Sequence, residues 1–184
     1  MMATTHAFAG LAIVAPIAVV VPEFAPALAV GAIFGGVAPD FDLAFEHRRT
    51  FHYPILGAVP TAIATGLAAF APAPPTAAIA AFSATAWLHA ASDALGGGPE
   101  MDPWTNPSDR AVYDHRRGRW IRPRRWIRYD GAPEDGLLAV ALAVPALLVF
   151  DGWIAIAVLG GVAVSLVYTL LRRRLVAWTP ERFE

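Results

Sequence analysis

The sequence predicts an all-α fold: a polytopic transmembrane helix bundle of about six spans, forming a single membrane domain over residues 1–184 with an Arg-rich cytoplasmic connector. Three observations predict it. Hydrophobic residues make up 57% of the chain and charged residues only 16%, with a mean hydropathy of +0.50; a soluble domain carries about a quarter charged residues. The apolar residues gather in long uncharged runs, the pattern of membrane helices. The 14 basic residues, all Arg, fall in only three of the connecting segments.

The runs cover residues 7–21, 24–38, 54–71, 76–95, 136–150 and 152–171. A span takes about 20 apolar residues. The third, fourth and sixth runs reach that length, and the others reach it with a polar residue or two at an end. The first run has no basic residue before it in MMATTH, so it is expected to be a retained span and not a secretory signal. Pro22-Glu23, Pro72–Pro75 and Asp151 make short connections without Arg. Asp40–Tyr53, Gly96–Asp135 and the tail from Arg172 hold every Arg. If the chain alternates sides, all three basic segments share one face, and the positive-inside rule makes it cytoplasmic, with both termini. Localisation in a cell membrane, multi-pass, is the expectation. Pro16, Pro60 and Pro145 are expected to kink helices, and Gly31, Gly35, Gly36, Gly57, Gly66, Gly160 and Gly161 to let helices approach closely.

With that orientation, polar residues from separate runs meet at the inner face. His6 precedes the first run, Asp40 and Asp42 follow the second, His47 and His52 precede the third, and His89 and Asp93 close the fourth. His89 and Asp93 are four apart, so a helix places them on one face. In Pro39-Asp40-Phe41-Asp42 the proline ends the helical course and the carboxylates project from the turn. Imidazole and carboxylate together suit a divalent metal ion: zinc first, with manganese and iron as alternatives. There is no cysteine, which excludes disulfides, thiolate ligation and cysteine nucleophiles. The plain alternatives are an interfacial histidine at His6, a helix-gluing His89–Asp93 pair and ordinary loop carboxylates at Asp40 and Asp42. Yet ionisable groups inside spans are costly and point to function.

These motifs resemble the membrane-bound metal-dependent hydrolase family, also described as LexA-binding, inner-membrane-associated hydrolases. The likeness is carried by His6, by Pro39-Asp40-Phe41-Asp42, by the segment His47 to His52 and by His89 to Asp93, over about the first 100 residues. Arg49 and Phe51 stand where the family has Gly and Thr. The resemblance implies a metal-dependent hydrolase whose ligands come from His6, Asp40, Asp42, His47, His52, His89 and Asp93. Asp42 or Asp93 would serve as general base where it does not ligate.

The connector interleaves eight Arg residues, from Arg110 to Arg128, with Trp104, Trp120, Trp126 and Tyr129. On an inner face this reads as a lipid-headgroup segment, so membrane lipids are the expected partners. The same guanidinium groups suit the phosphate of an amphiphilic substrate. Nucleic acid is not expected, because Glu100, Asp102, Asp109, Asp114 and Asp130 blunt the field. His115 lies among arginines and is set apart from the site. Glu134 and Asp135 read either as an extra base or ligand, or as helix N-terminal carboxylates. An ion transporter and a scaffold recruiting a soluble partner are the competing functions; crowding of the ligands at one face, away from the midplane, argues against transport.

Overall fold

The structure is a computed structural model, in which residues 1–178 are described. It is mostly helical, with helices α1 (Ala3–Val20), α2 (Ala25–Val37), α3 (Ala58–Phe70), α4 (Pro74–Ser92), α5 (Pro133–Val149) and α6 (Gly152–Ala177). Short 3₁₀ turns at Pro22–Phe24, Ala38–Ala44 and Asp93–Leu95 join or extend them. The connector adds an element the sequence did not predict. Strands β1 (Val112–Asp114) and β2 (Arg119–Ile121) pair antiparallel, with Tyr113 opposite Trp120. Their turn is held by Asp114, whose Oδ1 accepts from the backbone N–H of Arg116 and Arg117, and by Gly118 at φ +64°.

Among the described residues, three stretches are long and apolar enough to cross a membrane: Ala3–Val20, Pro22–Ala44 and Gly152–Ala177. The run from 54 to 71, expected to span, is helical only over Ala58–Phe70. At 1.5 Å per residue this is about 20 Å, short of the roughly 30 Å hydrocarbon layer. Pro54 to Gly57 are spent on turns, with Gly57 N–H donating to Tyr53 O. Pro60 lies in the first turn of α3, where it is tolerated, while Pro16 and Pro145 lie inside their helices. Arg182 of the tail lies outside the described residues.

α1 is the hub, packed against α2, α4, α5 and α6, and α2 lies between α1 and α4. α3 packs on α4. The core is built from Phe8, Leu11 and Val14 of α1, Leu28, Ala29 and Ala32 of α2, alanines of α4 and α5, and Ile154 and Val158 of α6. Glycine sets the tightest approaches. A Cβ on Gly31 would lie 2.2 Å from Ala78 O, and one on Gly36 2.5 Å from Ala7 Cα. Gly66 and Gly160, by contrast, face open space. Large apolar side chains point outward: Ile156, Leu159, Val167 and Leu170 of α6 are all exposed. So contiguous an apolar exterior is foreign to a monomeric soluble protein and fits lipid.

The amino end of α1 is tied to α5. Asp135, fully buried, accepts from Met2 N–H, Thr5 Oγ1–H and Gly131 N–H. A carboxylate there satisfies donors that a helix start leaves open and meets the positive end of its dipole. Replacing Asp135 with Ala strands three buried donors. It is expected to cost about 2–4 kcal/mol, with Asp135→Asn milder because the amide oxygen still accepts. Thermal melting of both variants in detergent checks the order.

Candidate metal centre

Backbone geometry brings four segments to one point. α1 begins at Ala3, so His6 sits in its first turn and not ahead of it. Pro39 converts the end of α2 into a 3₁₀ turn, which turns Asp40 and Asp42 inward. His52 arrives from the loop before α3, and His89 and Asp93 from the end of α4. His6, Asp42, His52, His89 and Asp93 are all buried, and Asp40 is partly so.

The histidine tautomers follow from their partners. His89 Nδ1 lies 2.7 Å from Gly36 O, which can only accept, so Nδ1 carries the proton. His52 Nδ1 lies 2.8 Å from the Asp42 carboxylate. Ser92 Oγ donates its single proton to His89 O, which leaves it to accept from His6 Nδ1 at 3.3 Å. All three rings therefore point an Nε2 lone pair inward. None of those three nitrogens has a hydrogen-bond partner, and neither has Asp93 Oδ2.

The four orphaned atoms converge. Asp93 Oδ2 is 3.2 Å from His52 Nε2 and 3.5 Å from His89 Nε2, while Asp93 Oδ1 is 3.2 Å from His6 Nε2. Asp40 Oδ1 lies 3.4 Å from His89 Nε2 and 3.8 Å from His52 Nε2. Two triads can hold an ion: His6, His89 and Asp93, or Asp40, His52 and His89. Both need the one lone pair of His89 Nε2, so one ion has a claim on all five side chains. Lone pairs facing carboxylate oxygens at these distances repel. Protonating every ring would not relieve this, because the His6 and His89 rings stack at 3.7 Å and would carry like charges. A divalent cation satisfies every orphan at once. The donor set, three imidazole nitrogens each held from behind at Nδ1–H and two carboxylates, could hold a metal ion.

Asp42 and His47, also expected as ligands, stand one step back. Asp42 Oδ2 accepts from His52 Nδ1 and from Phe51 N–H, and Oδ1 accepts from His47 Nδ1 at 2.9 Å. Both oxygens are thus engaged in holding histidines. Burial pushes the His52 pKa down, but the negative charge of the nearby Asp42 and Asp93 carboxylates outweighs it and raises it above 6.5.

Arg48, which the sequence did not single out, also reaches the centre. It is buried with a left-handed φ of +59°, donates from Nη1 to Gly97 O, and sets Nε 3.7 Å from Asp93 Oδ2. The left-handed backbone falls at Arg48 and not at Arg49. Arg49 instead pairs with Glu46 and covers the Tyr113 ring. Phe51 turns its ring outward and contributes only its N–H. His115 donates to Arg49 O and stacks on Tyr53, outside the centre. Glu134 pairs with Arg128, whose guanidinium holds its carboxyl down at about 2, so it is no base.

A cavity of about 510 Å³ reaches the centre at Asp40, His47 and Arg48. The connector closes over the other side: Arg124 and Arg125 donate backbone N–H groups to Ala94 O and Gly96 O, and Tyr113 donates to Arg48 O. No family model, curated protein or solved structure matches the chain. What the centre does is therefore read from its own geometry.

Two outcomes follow for metal affinity. An ion must displace protons from the ligand imidazoles, so affinity is expected to climb with pH. Asp42→Asn removes the charge behind His52. It is expected to weaken binding about 10–100-fold, as titration with a metal-sensitive dye would report.

Proposed function

We propose that this protein is a membrane-embedded, metal-dependent hydrolase whose centre opens toward the cytoplasmic headgroup layer. The observation that carries this is the convergence of three unpartnered Nε2 atoms and Asp93 Oδ2, each ring held at Nδ1, beside a cavity that reaches Asp40. His6, Asp40, His52, His89 and Asp93 would hold the ion, with zinc preferred for the imidazole-rich set. Such an ion supplies Lewis acidity and lowers the pKa of water toward about 7.

The chain's own residues divide the remaining work. His47 lines the cavity, and Asp42 holds its Nδ1–H, leaving Nε2 to accept a proton from water entering beside Asp40. Asp42 then acts through His47 instead of serving as base itself. Asp93 would be taken up by the ion, and it faces Arg48. Arg48 offsets the negative charge of the carboxylates, which otherwise repel an anionic substrate.

The apolar exterior and the Arg-rich connector support a membrane location, with both termini cytoplasmic as the proposed orientation. Exposed Trp126 and arginines such as Arg117 suit anionic headgroups. An amphiphilic phosphoester is the substrate class that combines these features. Ion transport fits less well, since the cluster lies at the helix ends.

Elemental analysis of the purified protein tests the centre. Wild type is expected to hold close to one ion per chain, and His89→Ala and Asp93→Ala to lose it; equally low metal in all three would sink the proposal. With the ion bound, His47→Ala is expected to lower kcat on a chromogenic phosphodiester amphiphile by about 10²–10⁴-fold at unchanged metal content. Metal-dependent flux in proteoliposomes, lost in Asp40→Asn, would move the assignment to transport.

A further inference from the structure

The cavity beside the centre has a polar floor and an apolar mouth. Asp40 and His47 form the floor and keep side-chain exposures of 21% and 24%. Leu43, on the loop after α2, lines the cavity yet is 71% exposed, and Val164 of α6 lines it at 61%. Residues that line a cavity and stand this far open mark its rim.

What faces that rim follows from its neighbours. Phe41 and Phe45 flank Leu43 and are exposed with it. On α6, Val167, Leu170 and Leu171 carry the apolar exterior on past Val164. The mouth is thus continuous with the surface that fits lipid. The connector stitches the other approach shut: Arg124 and Arg125 donate backbone N–H groups to Ala94 O and Gly96 O, and Tyr113 donates to Arg48 O. The cavity also has the shape for a chain. It follows α6 from Val164 to Val176, about 18 Å at 1.5 Å per residue. Its 510 Å³ lies within the usual range of about 300–1,000 Å³ for small-molecule sites.

We infer that this cavity is a lateral portal, through which a bilayer phospholipid enters between Leu43 and α6. One acyl chain lies along Val164 and Val176, and the headgroup phosphoester reaches Asp40 and His47. The inference deepens the hydrolase reading by making the substrate a membrane-resident lipid instead of a soluble ester, and rests on that reading for the chemistry alone. Entry of the lipid does not require it.

Photolabelling of the full chain in phosphatidylglycerol nanodiscs tests the portal. One probe is phosphatidylglycerol with a diazirine on one acyl chain. The other is a diazirine-bearing glycerophosphoglycerol, which has the headgroup but no chain and is added from water. Labelled residues are mapped by mass spectrometry. In wild type the lipid probe is expected to mark Thr4 and Tyr168, which line the cavity, as well as Ile156 and Leu170 on the outer face. The soluble probe is expected to mark none of the four. The double variant Leu43→Trp, Val176→Trp is expected to lose the cavity labels about tenfold and keep the outer ones. Outer-face labels without cavity labels in wild type overturn the inference, and so does equal cavity labelling by the two probes. These wild-type results decide the matter even if the double variant fails to fold. Cavity labelling in a protein that holds no metal and hydrolyses nothing upholds the portal and removes the hydrolase reading alone. Hydrolysis of a soluble phosphodiester without cavity labelling does the reverse.

Discussion

The centre exists because helices touch backbone to backbone. Between α2 and α4, Gly31 and Gly35 leave no room for a side chain; a Cβ at either would fall within 2.3 Å of a carbonyl oxygen on α4. Gly36 meets the backbone of Ala7 just as closely, and its own carbonyl fixes the His89 ring. At ordinary interaxial distances of about 8–10 Å, larger residues would occupy these contacts. His6 and His89 could not then stack at 3.7 Å. Small-residue packing is the favoured way to bring helices together in lipid, where hydrophobic burial gives no advantage to one apolar contact over another.

That packing inverts the usual distribution of polarity. Buried positions hold many alanines and glycines together with His6, Asp42, His52, His89, Asp93 and Asp135, while most of the large aliphatic side chains lie on the exterior. The polar atoms inside are few and specifically paired. Asp135 serves the start of α1 and its link to α5, and Asp42 serves two histidines and the Phe51 N–H. At the centre these pairings leave the Nε2 atoms of His6, His52 and His89 and Asp93 Oδ2 unmet. An interior of low effective dielectric strengthens the attraction of such a set for a cation and the cost of leaving it bare.

Much of this was legible in the residues. The helical class follows from uncharged runs, and the clustering of His6, Asp40, His52, His89 and Asp93 from the alternation those runs impose. What sequence could not supply was depth of role. Asp40 and Asp42 are equivalent in a Pro-Asp-x-Asp turn, yet a 3₁₀ course turns one toward the ion site and the other toward imidazole Nδ1 atoms. Arg48 looked like Arg49 because burial of a cation depends on which backbone conformation the loop adopts, here a left-handed residue. The β-hairpin escaped notice because its strands are three residues long and lie among arginines. The short α3 shows the opposite error, since an apolar run says nothing about how many of its residues a turn will use.

The ligands are contributed across a long stretch of chain, from His6 to Asp93. During synthesis, an ion could meet at most His6, Asp40 and His52 before the fourth helix emerges, and none of the three would yet be braced by α4. Capture of an ion there would therefore be a late event in maturation. A seated ion would fasten the first and fourth helices together, so that half of the bundle would owe part of its stability to the metal.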